Sequence, residues 1–327
     1  MKTLSEQINE VLTSKKTKSA KRYDLSKLGL TNLDIQVLFK THSDVIEQTS
    51  VEGTRTPRTT GERRATINAL AMKYTFGVEI ECFNAPRQTL MQALANNHLR
   101  AQNRTEYRDA HTGSYARAYR LVHDGSIEGA NGVECVTPIL KGTRGFNSLQ
   151  SCCNALNSIG ARVNASTGLH VHVGGGISEK QYINTFINYY RLEQVIDTFM
   201  AASRRDAYYA AAIHHTNQNY HNQVDTNLLC RAQSVTDVYN AFHGNRYYKI
   251  NVCSWTRHST IEFRQHSGTT NFEKIRMWSL FCLKLVAWSA DNRLRSDVRT
   301  IDDIPFLNNR EKEWFKQRAI ALAGANE

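Results

Sequence analysis

Short runs in which apolar and charged residues alternate are the feature of this sequence that most limits its fold. In an extended strand, side chains i and i+2 point to the same face. In the run FGVEIEC, residues 76–82, the apolar side chains therefore face one way, and Glu79 and Glu81 face the other. A solvated strand shows the same alternation, so this pair alone does not define a site. The pattern favours a sheet with one packed face and one polar face.

The run GLHVHVG repeats this alternation with histidines. His170 and His172 fall on the face opposite the leucine and the two valines. Histidine is tolerated both in cores and on sheet surfaces. A structural role and a metal-binding role therefore both remain open for this pair.

Two further runs, TIEFRQH and GVECVTP, extend the polar pattern. The first places Glu262, Arg264 and His266 on one face, and the second places Glu134 opposite Val133 and Cys135. If all four strands share a sheet, four carboxylates and two imidazoles share a face. Carboxylates a few Å apart repel by about 1–4 kcal/mol per pair, so such a cluster predicts divalent cations. Oxygen ligands with imidazole suit Mg²⁺, with Mn²⁺ as an alternative.

Arg264 and Asp124 are further candidates for chemistry. Arg264 follows Glu262 by two residues, and its planar guanidinium is suited to a phosphate oxygen that gains charge. The alternative is that it only neutralises Glu262 or Glu134. Asp124 lies in HDGSI, where Asp, Gly and Ser are first of all typical of a turn. Its predicted catalytic role is the weaker of the two.

The order of elements favours an α+β fold. The patterns predict strands at residues 74–83, 119–123, 132–139, 168–174, 247–254 and 260–266, and helices at 88–102, 145–159, 178–202 and 271–290. Strands and helices do not alternate one for one, and the last two strands are close enough to form a hairpin. We therefore expect a mainly antiparallel sheet rather than a doubly wound parallel one.

Residues 1–70 differ in character from residues 71–327. Residues 1–73 contain 13 Lys or Arg and 8 Asp or Glu, a net charge of +5. Apolar residues at helical spacing predict two amphipathic helices, and the polar, proline-containing stretch 52–64 predicts a linker. Residues 1–70 are thus a basic helical extension. It either docks an acidic protein or nucleic acid, or caps the domain that follows.

Charge and composition limit the classes of protein to which this chain could belong. The chain has 327 residues, 41% of them hydrophobic, and a formal charge of +11, which favours association with polyanions. It lacks the sequence signatures of common nucleic-acid-binding modules. It also lacks an apolar run of roughly 20 residues and a secretory signal, so we expect a cytoplasmic protein that does not enter the membrane. The seven irregularly spaced cysteines predict reduced packing residues.

The ordered set of motifs resembles a known family. FGVEIE, HDGSI with GVECVTPIL, GLHVHVG, and KINV with TIEFRQHSGT are similar to the amidoligase family of carboxylate-amine ligases. These are relatives of glutamine synthetase and glutamate-cysteine ligase, and the resemblance covers roughly residues 74–290. It implies a glutamine synthetase-like catalytic domain with a funnel-shaped, mainly antiparallel sheet backed by helices. It also implies ATP and two or three Mg²⁺ ions as cofactors.

The resemblance also assigns roles to individual residues. It implies metal binding by Glu79, Glu81, Glu134, His170 and Glu262. It implies that His172 approaches the nucleotide and that Arg264 stabilises a phosphate, with Glu262 and Asp124 also placed at the catalytic centre. The remaining cofactor-binding candidates are Lys249, Asn251, Arg204 and Arg205. For the two adjacent arginines, a cationic helix C-terminus is an equal alternative.

The resulting functional hypothesis is an ATP-dependent carboxylate-amine ligase that forms an amide from a carboxylate and an amine substrate through an acyl phosphate. The rivals are a metal-dependent hydrolase and a basic nucleic-acid-binding or assembly protein that retains the fold. A homo-oligomer is possible under each of them. The stretch 206–245 contains scattered histidines, which predict either a second metal site or, preferably, a mobile active-site loop.

Overall fold

The computed structural model describes residues 67–104, 118–214 and 221–324. The predicted N-terminal helices and the linker lie outside the described residues. The boundary near residue 70, and the choice between a docking and a capping role for the extension, therefore stay predictions.

Within the described residues, eight strands form one sheet. The strands are β1 (Thr75–Cys82), β2 (Ala101–Arg104), β3 (Tyr119–Val122), β4 (Val133–Val136), β5 (Leu140–Lys141), β6 (Gly168–Gly174), β7 (Ile250–Asn251) and β8 (Ile261–Ser267). Their order is β2-β3-β4-β1-β6-β8-β7, with β5 also paired to β1. Only β2 and β3 run parallel among these pairs. The prediction of a mainly antiparallel sheet is confirmed, and the four motif-bearing strands are neighbours in it.

Several helices pack against the apolar face of this sheet. The helices with described bounds are α1 (Arg87–Asn96), α2 (Gly142–Ser158), α3 (Glu179–Thr198), α4 (Thr226–Arg231), α5 (Val235–Ala241), α6 (Ser254–His258), α7 (Phe272–Ser289) and α8 (Asn309–Gly324). Phe76 of β1 stacks on Phe146 of α2 at 4.7 Å between ring centroids, and Phe263 of β8 lies 5.7 Å from Tyr189 of α3. The core thus lies between the sheet and the helices, which leaves the opposite face for polar groups. None of the helices in the described ranges has the length and apolar character needed to cross a bilayer.

Two predicted elements have wrong bounds, and a helix was missed. The helix predicted at 88–102 ends at Asn96, and the residues from Ala101 onward form the edge strand β2 instead. The reversal between them is made at His98, whose φ is 60°, a conformation that ends a helix. The strand predicted at 247–254 is only two residues long, although it pairs with β8 as the predicted hairpin requires. Helix α8 was not predicted at all.

The stretch 206–245, predicted as a mobile loop, is partly helical. Asp225 caps α4 by accepting a hydrogen bond from the backbone of Leu228 at 2.9 Å. Ser234 and Asp237 form a capping box at the start of α5. These local hydrogen bonds satisfy backbone groups that a helix otherwise leaves open at its N-terminus.

A β-bulge in β8 changes the face on which His266 lies. Val171 pairs with Phe263 and Leu169 pairs with His266, so β8 has one residue more than β6 over this interval. His266 therefore shares the helix side with Leu169, and its predicted place on the polar face is wrong. There Nε2 lies 3.2 Å from a guanidinium nitrogen of Arg318, while Nδ1 lies 2.7 Å from the Ser267 carbonyl oxygen.

Candidate active site

Strand register places the predicted ligands on adjacent rungs of the polar face. Glu81 pairs with Glu134 across β1 and β4, and Glu79 pairs with His170 across β1 and β6. On the next strand pair, His172 lies opposite Glu262. Four alternating patterns that are far apart in the sequence therefore meet on one patch of sheet.

The side chains of this patch are in direct contact. Glu79 Oε2 lies 2.9 Å from His170 Nδ1, and Glu79 Oε1 lies 3.2 Å from His172 Nε2. His170 Nε2 in turn lies 3.7 Å from Glu81 Oε1. Each of these carboxylates is buried, although carboxylates are rarely buried without a charged partner. The patch thus concentrates side chains of the types that bind metals. We call it the carboxylate cluster, and its members are Glu79, Glu81, Glu134, His170, His172 and Glu262.

Two groups within the carboxylate cluster lie close enough together to hold a metal ion. Glu79, His172 and Glu262 form one, and Glu79, Glu134 and His170 form the other, with their ligand atoms within 4.8 Å of one another. Carboxylate oxygens with one imidazole nitrogen each match the preferences of Mg²⁺ and Mn²⁺. The donor chemistry therefore fits the predicted cations, and Glu79 is common to both groups.

The carboxylates differ in their proton affinity. Burial, together with the charges of Glu79 and Glu81, raises the pKa of Glu134 well above its usual range. Burial acts in the same direction on Glu79, but His172 and His170 outweigh it and lower the pKa of Glu79 well below its usual range. Different neighbouring charges thus give two carboxyl groups of the same type different pKa values. A bound divalent cation would favour the ionised form of Glu134 as well.

Arg264 lies at the edge of the carboxylate cluster. Its Nη1 donates to Glu262 Oε1 at 2.6 Å, and its Nε donates to the carbonyl oxygen of Tyr209 at 3.3 Å. The other oxygen of Glu262 accepts a hydrogen bond from Asn251 Nδ2 at 2.6 Å. Burial lowers the pKa of Arg264, but Glu262 outweighs this and raises it, so the guanidinium is fixed in place and charged. Asn251 contacts the cluster through Glu262.

Arg204 approaches the carboxylate cluster from the other side. It is buried, donates through Nη2 to the carbonyl oxygen of Thr167, and its Nε has no hydrogen-bond partner in the described ranges. A Cβ at Gly168 would lie 3.0 Å from Arg204 Nη2 and 3.3 Å from Glu81 Oε2. The glycine therefore lets the guanidinium come close to the cluster. Arg205 is only half-buried and donates instead to the carbonyl oxygen of Met200, just beyond α3.

Two further predicted site residues, besides Arg205, do not join the cluster. Lys249 lies on the helix side, where Nζ is 2.8 Å from Asp197 Oδ1 and 3.1 Å from Glu193 Oε1. Asp124 accepts hydrogen bonds on Oδ1 from the backbone and the hydroxyl of Ser126, at 2.8 and 2.7 Å, as the turn interpretation requires. Its charge still contributes to the raised pKa of Glu134, after burial and the other carboxylates.

Sequence reasoning missed several groups that position the site. Thr260 Oγ1 lies 3.1 Å from His172 Nδ1 and fixes the orientation of that ring. Glu193 accepts hydrogen bonds from the backbone of Ile213 and His214, at 2.7 and 2.8 Å, and so anchors the segment that carries Tyr209. The sequence signal for this anchor was a pair of acidic residues four apart on the buried side of α3, because a buried carboxylate needs a partner.

Fold and site together define an α+β protein whose antiparallel sheet carries a candidate metal site. The sequence profile of the family described as "Putative amidoligase enzyme" matches residues 72–286, and the chain belongs to this family. Membership indicates a ligase-type function.

Comparisons beyond the family add little. No curated protein matches the chain. Among solved structures, it is similar to a bifunctional glutathione synthetase from Pasteurella multocida at 12% identity and a TM-score of 0.38. The similarity covers 80% of this chain and 42% of that one, so the chain spans less than half the length of that synthetase.

Proposed function

We propose that the chain is an ATP- and Mg²⁺-dependent carboxylate-amine ligase on a glutamine synthetase-like domain. The observation that carries the proposal is the convergence of Glu79, Glu134, Glu262 and His170 on one face, with Arg264 beside them. Buried, mutually repelling carboxylates are costly without a cation. A structural sheet has no need of such a face.

The candidate ligands for Mg²⁺ are the two groups that share Glu79. When bound, the cations would supply Lewis-acid stabilisation of phosphate oxygens. Arg264 would add a guanidinium held by Glu262, and Arg204 a second one beside Glu81. Both groups suit phosphate oxygens because their planar donors match such oxyanions.

The proposed reaction has two steps. A carboxylate does not react with an amine directly, because oxide would be its leaving group. One carboxylate oxygen therefore attacks the γ-phosphorus of ATP, ADP leaves, and an acyl phosphate forms. The amine then attacks the acyl carbon, loses a proton, and expels phosphate. Arg264 and Arg204 would stabilise the charge that is transferred, and the buried cluster would hold the reactants away from water.

Calorimetry with a non-hydrolysable ATP analogue tests the proposal. We expect binding in the presence of Mg²⁺ and a loss of most of the affinity when the metal is chelated. Binding that is indifferent to Mg²⁺ would contradict the assignment of the carboxylate cluster. Hydrolysis of an amide or ester without ATP would favour a metal-dependent hydrolase instead.

A further inference from the structure

A pocket of ≈ 400 Å³ lies at the end of the sheet where β1 finishes and β4 begins. Its lining includes Arg87, His123, Asp124, Gly125 and Gly132. The volume falls within the range of small-molecule sites, about 300–1,000 Å³. None of the functional assignments above uses this pocket as a binding site.

The pocket adjoins the carboxylate cluster. Gly132, which lines it, is followed directly by β4, and the second residue of β4 is Glu134. Asp124 also lines the pocket, and its charge acts on Glu134. A molecule bound there would therefore lie next to the candidate metal site rather than at a remote surface.

Arg87 gives the pocket a cationic group. Its Nη1 is shielded from solvent and has no hydrogen-bond partner in the described part of the chain. A shielded, unpaired donor on a charged group is unfavourable, and native structures rarely keep one without a reason. Arg87 is also the first residue of α1, which lacks a side-chain cap, so the positive end of the helix dipole adds to its field.

Arg87 forms no ion pair with any residue that the structure describes, Asp124 included. Asp124 instead uses Oδ1 for its turn hydrogen bonds with Ser126. A guanidinium can pair in bidentate fashion with a carboxylate or a phosphate.

We propose that this pocket binds the carboxylate substrate, a small oxyanion anchored by Arg87. The inference rests on the proposed ligase function, which needs a carboxylate beside the nucleotide phosphates. Arg204 and Arg264 already provide guanidiniums at the carboxylate cluster for those phosphates. Arg87 lines the adjoining pocket, so it is available to the second anionic reactant.

The first test compares Arg87→Gln with Arg295→Gln, the same change at an exposed arginine. Acetate, succinate and glutarate are titrated into the full-length protein and followed by ligand-observed NMR, with inorganic phosphate as the competing oxyanion. We expect Arg87→Gln to weaken carboxylate binding by about tenfold or more, because a hydrogen bond to a charged group is lost. Arg295→Gln should match the wild type. Equal carboxylate affinity in wild type and Arg87→Gln, or no carboxylate binding by wild type at millimolar concentration, would overturn the proposal.

The second test fills the pocket without altering charge. Gly125 lines the pocket, and a Cβ there would have no atom within 4 Å, so Gly125→Leu adds bulk without a clash of its Cβ. Gly324→Leu is the matched control, since Gly324 also has open space around it. We expect Gly125→Leu to abolish carboxylate binding and to leave the melting temperature and Mg²⁺-dependent nucleotide binding unchanged. Retained carboxylate affinity in Gly125→Leu would overturn the assignment.

Nucleotide binding separates failure of this inference from failure of the proposed function. If Arg87→Gln weakens binding of the ATP analogue or of phosphate but not of the carboxylates, the pocket holds phosphate and the inference is wrong. If wild type binds carboxylates through Arg87 but never binds Mg²⁺ and nucleotide, the pocket is supported and the ligase proposal fails.

Discussion

Glu79 and His170 face each other across β1 and β6, with Glu79 Oε2 2.9 Å from His170 Nδ1. The second oxygen of Glu79 lies 3.2 Å from Nε2 of His172, so one buried carboxylate contacts both imidazoles of β6. The two imidazoles hold the pKa of Glu79 well below its usual range, against the effect of burial. The same atoms would serve as ligands to a bound cation.

Glu79→Gln should therefore abolish the Mg²⁺ dependence of nucleotide binding, because Glu79 belongs to both candidate metal groups. We expect the affinity for the ATP analogue with Mg²⁺ to fall by about 10–100-fold, as for lost metal-site partners. The fold should survive, since the change also removes repulsion with Glu134. Calorimetry and thermal melting measure the two effects. Glu273→Gln, at an exposed position, is the control, and unchanged Mg²⁺ dependence in Glu79→Gln would refute the shared-ligand role.

Arg264→Lys should separate binding from turnover. Lysine retains the charge but cannot donate to both Glu262 and the Tyr209 carbonyl oxygen in the geometry of a guanidinium. If Arg264 stabilises the charge transferred with the phosphoryl group, turnover should fall by about 100-fold or more while nucleotide affinity changes little. Turnover is measured as the rate of ADP release, and nucleotide affinity is measured by calorimetry. Arg276→Lys, on the exposed side of α7, serves as the control. Equal losses of turnover and of nucleotide affinity would assign Arg264 to ground-state binding.

The polar face was predictable because strand periodicity is local. Glu79, Glu81, His170 and Glu262 each show it within five or six residues of sequence. The bulge that rotates His266 off this face is not visible in the alternation, because it arises from pairing with β6. Arg204 was found only through its family resemblance. Its closeness to Glu81 depends on a glycine on another strand.

Lys249 shows a second limit of local patterns. Its spacing from Asn251 predicts a shared face, yet Asn251 contacts Glu262 while Lys249 contacts Glu193 and Asp197. Strand β7 begins only at Ile250, so strict alternation does not extend to Lys249. Charged partners on α3 then decide which way the ammonium points.

Lys249→Met should destabilise the fold rather than nucleotide binding. The change leaves Glu193 buried without its cation, and breaking a buried pair in this way costs about 3–5 kcal/mol. Lys180→Met, at an exposed position on the same helix as Glu193, should cost less than about 0.5 kcal/mol. Urea unfolding measures both. If Lys249→Met instead lowers nucleotide affinity at unchanged stability, the cofactor role implied by the family resemblance is correct.

His266 should make the protein less stable in mild acid. Burial, followed by the charge of Arg318, lowers the pKa of His266 from 6.5 to about 3, so the folded protein keeps this ring neutral. Between these two pKa values the unfolded chain binds a proton that the folded chain does not. The free energy of unfolding therefore decreases by about 1.4 kcal/mol for each unit by which the pH is lowered. His266→Gln removes this contribution, so its stability should decline less than that of the wild type between pH 7 and pH 5, by about 2 kcal/mol. Urea unfolding at several pH values measures the difference, and His98→Asn, at an exposed position, should follow the wild type. Parallel profiles for wild type and His266→Gln would mean that the ring is protonated in the folded state despite the guanidinium beside it.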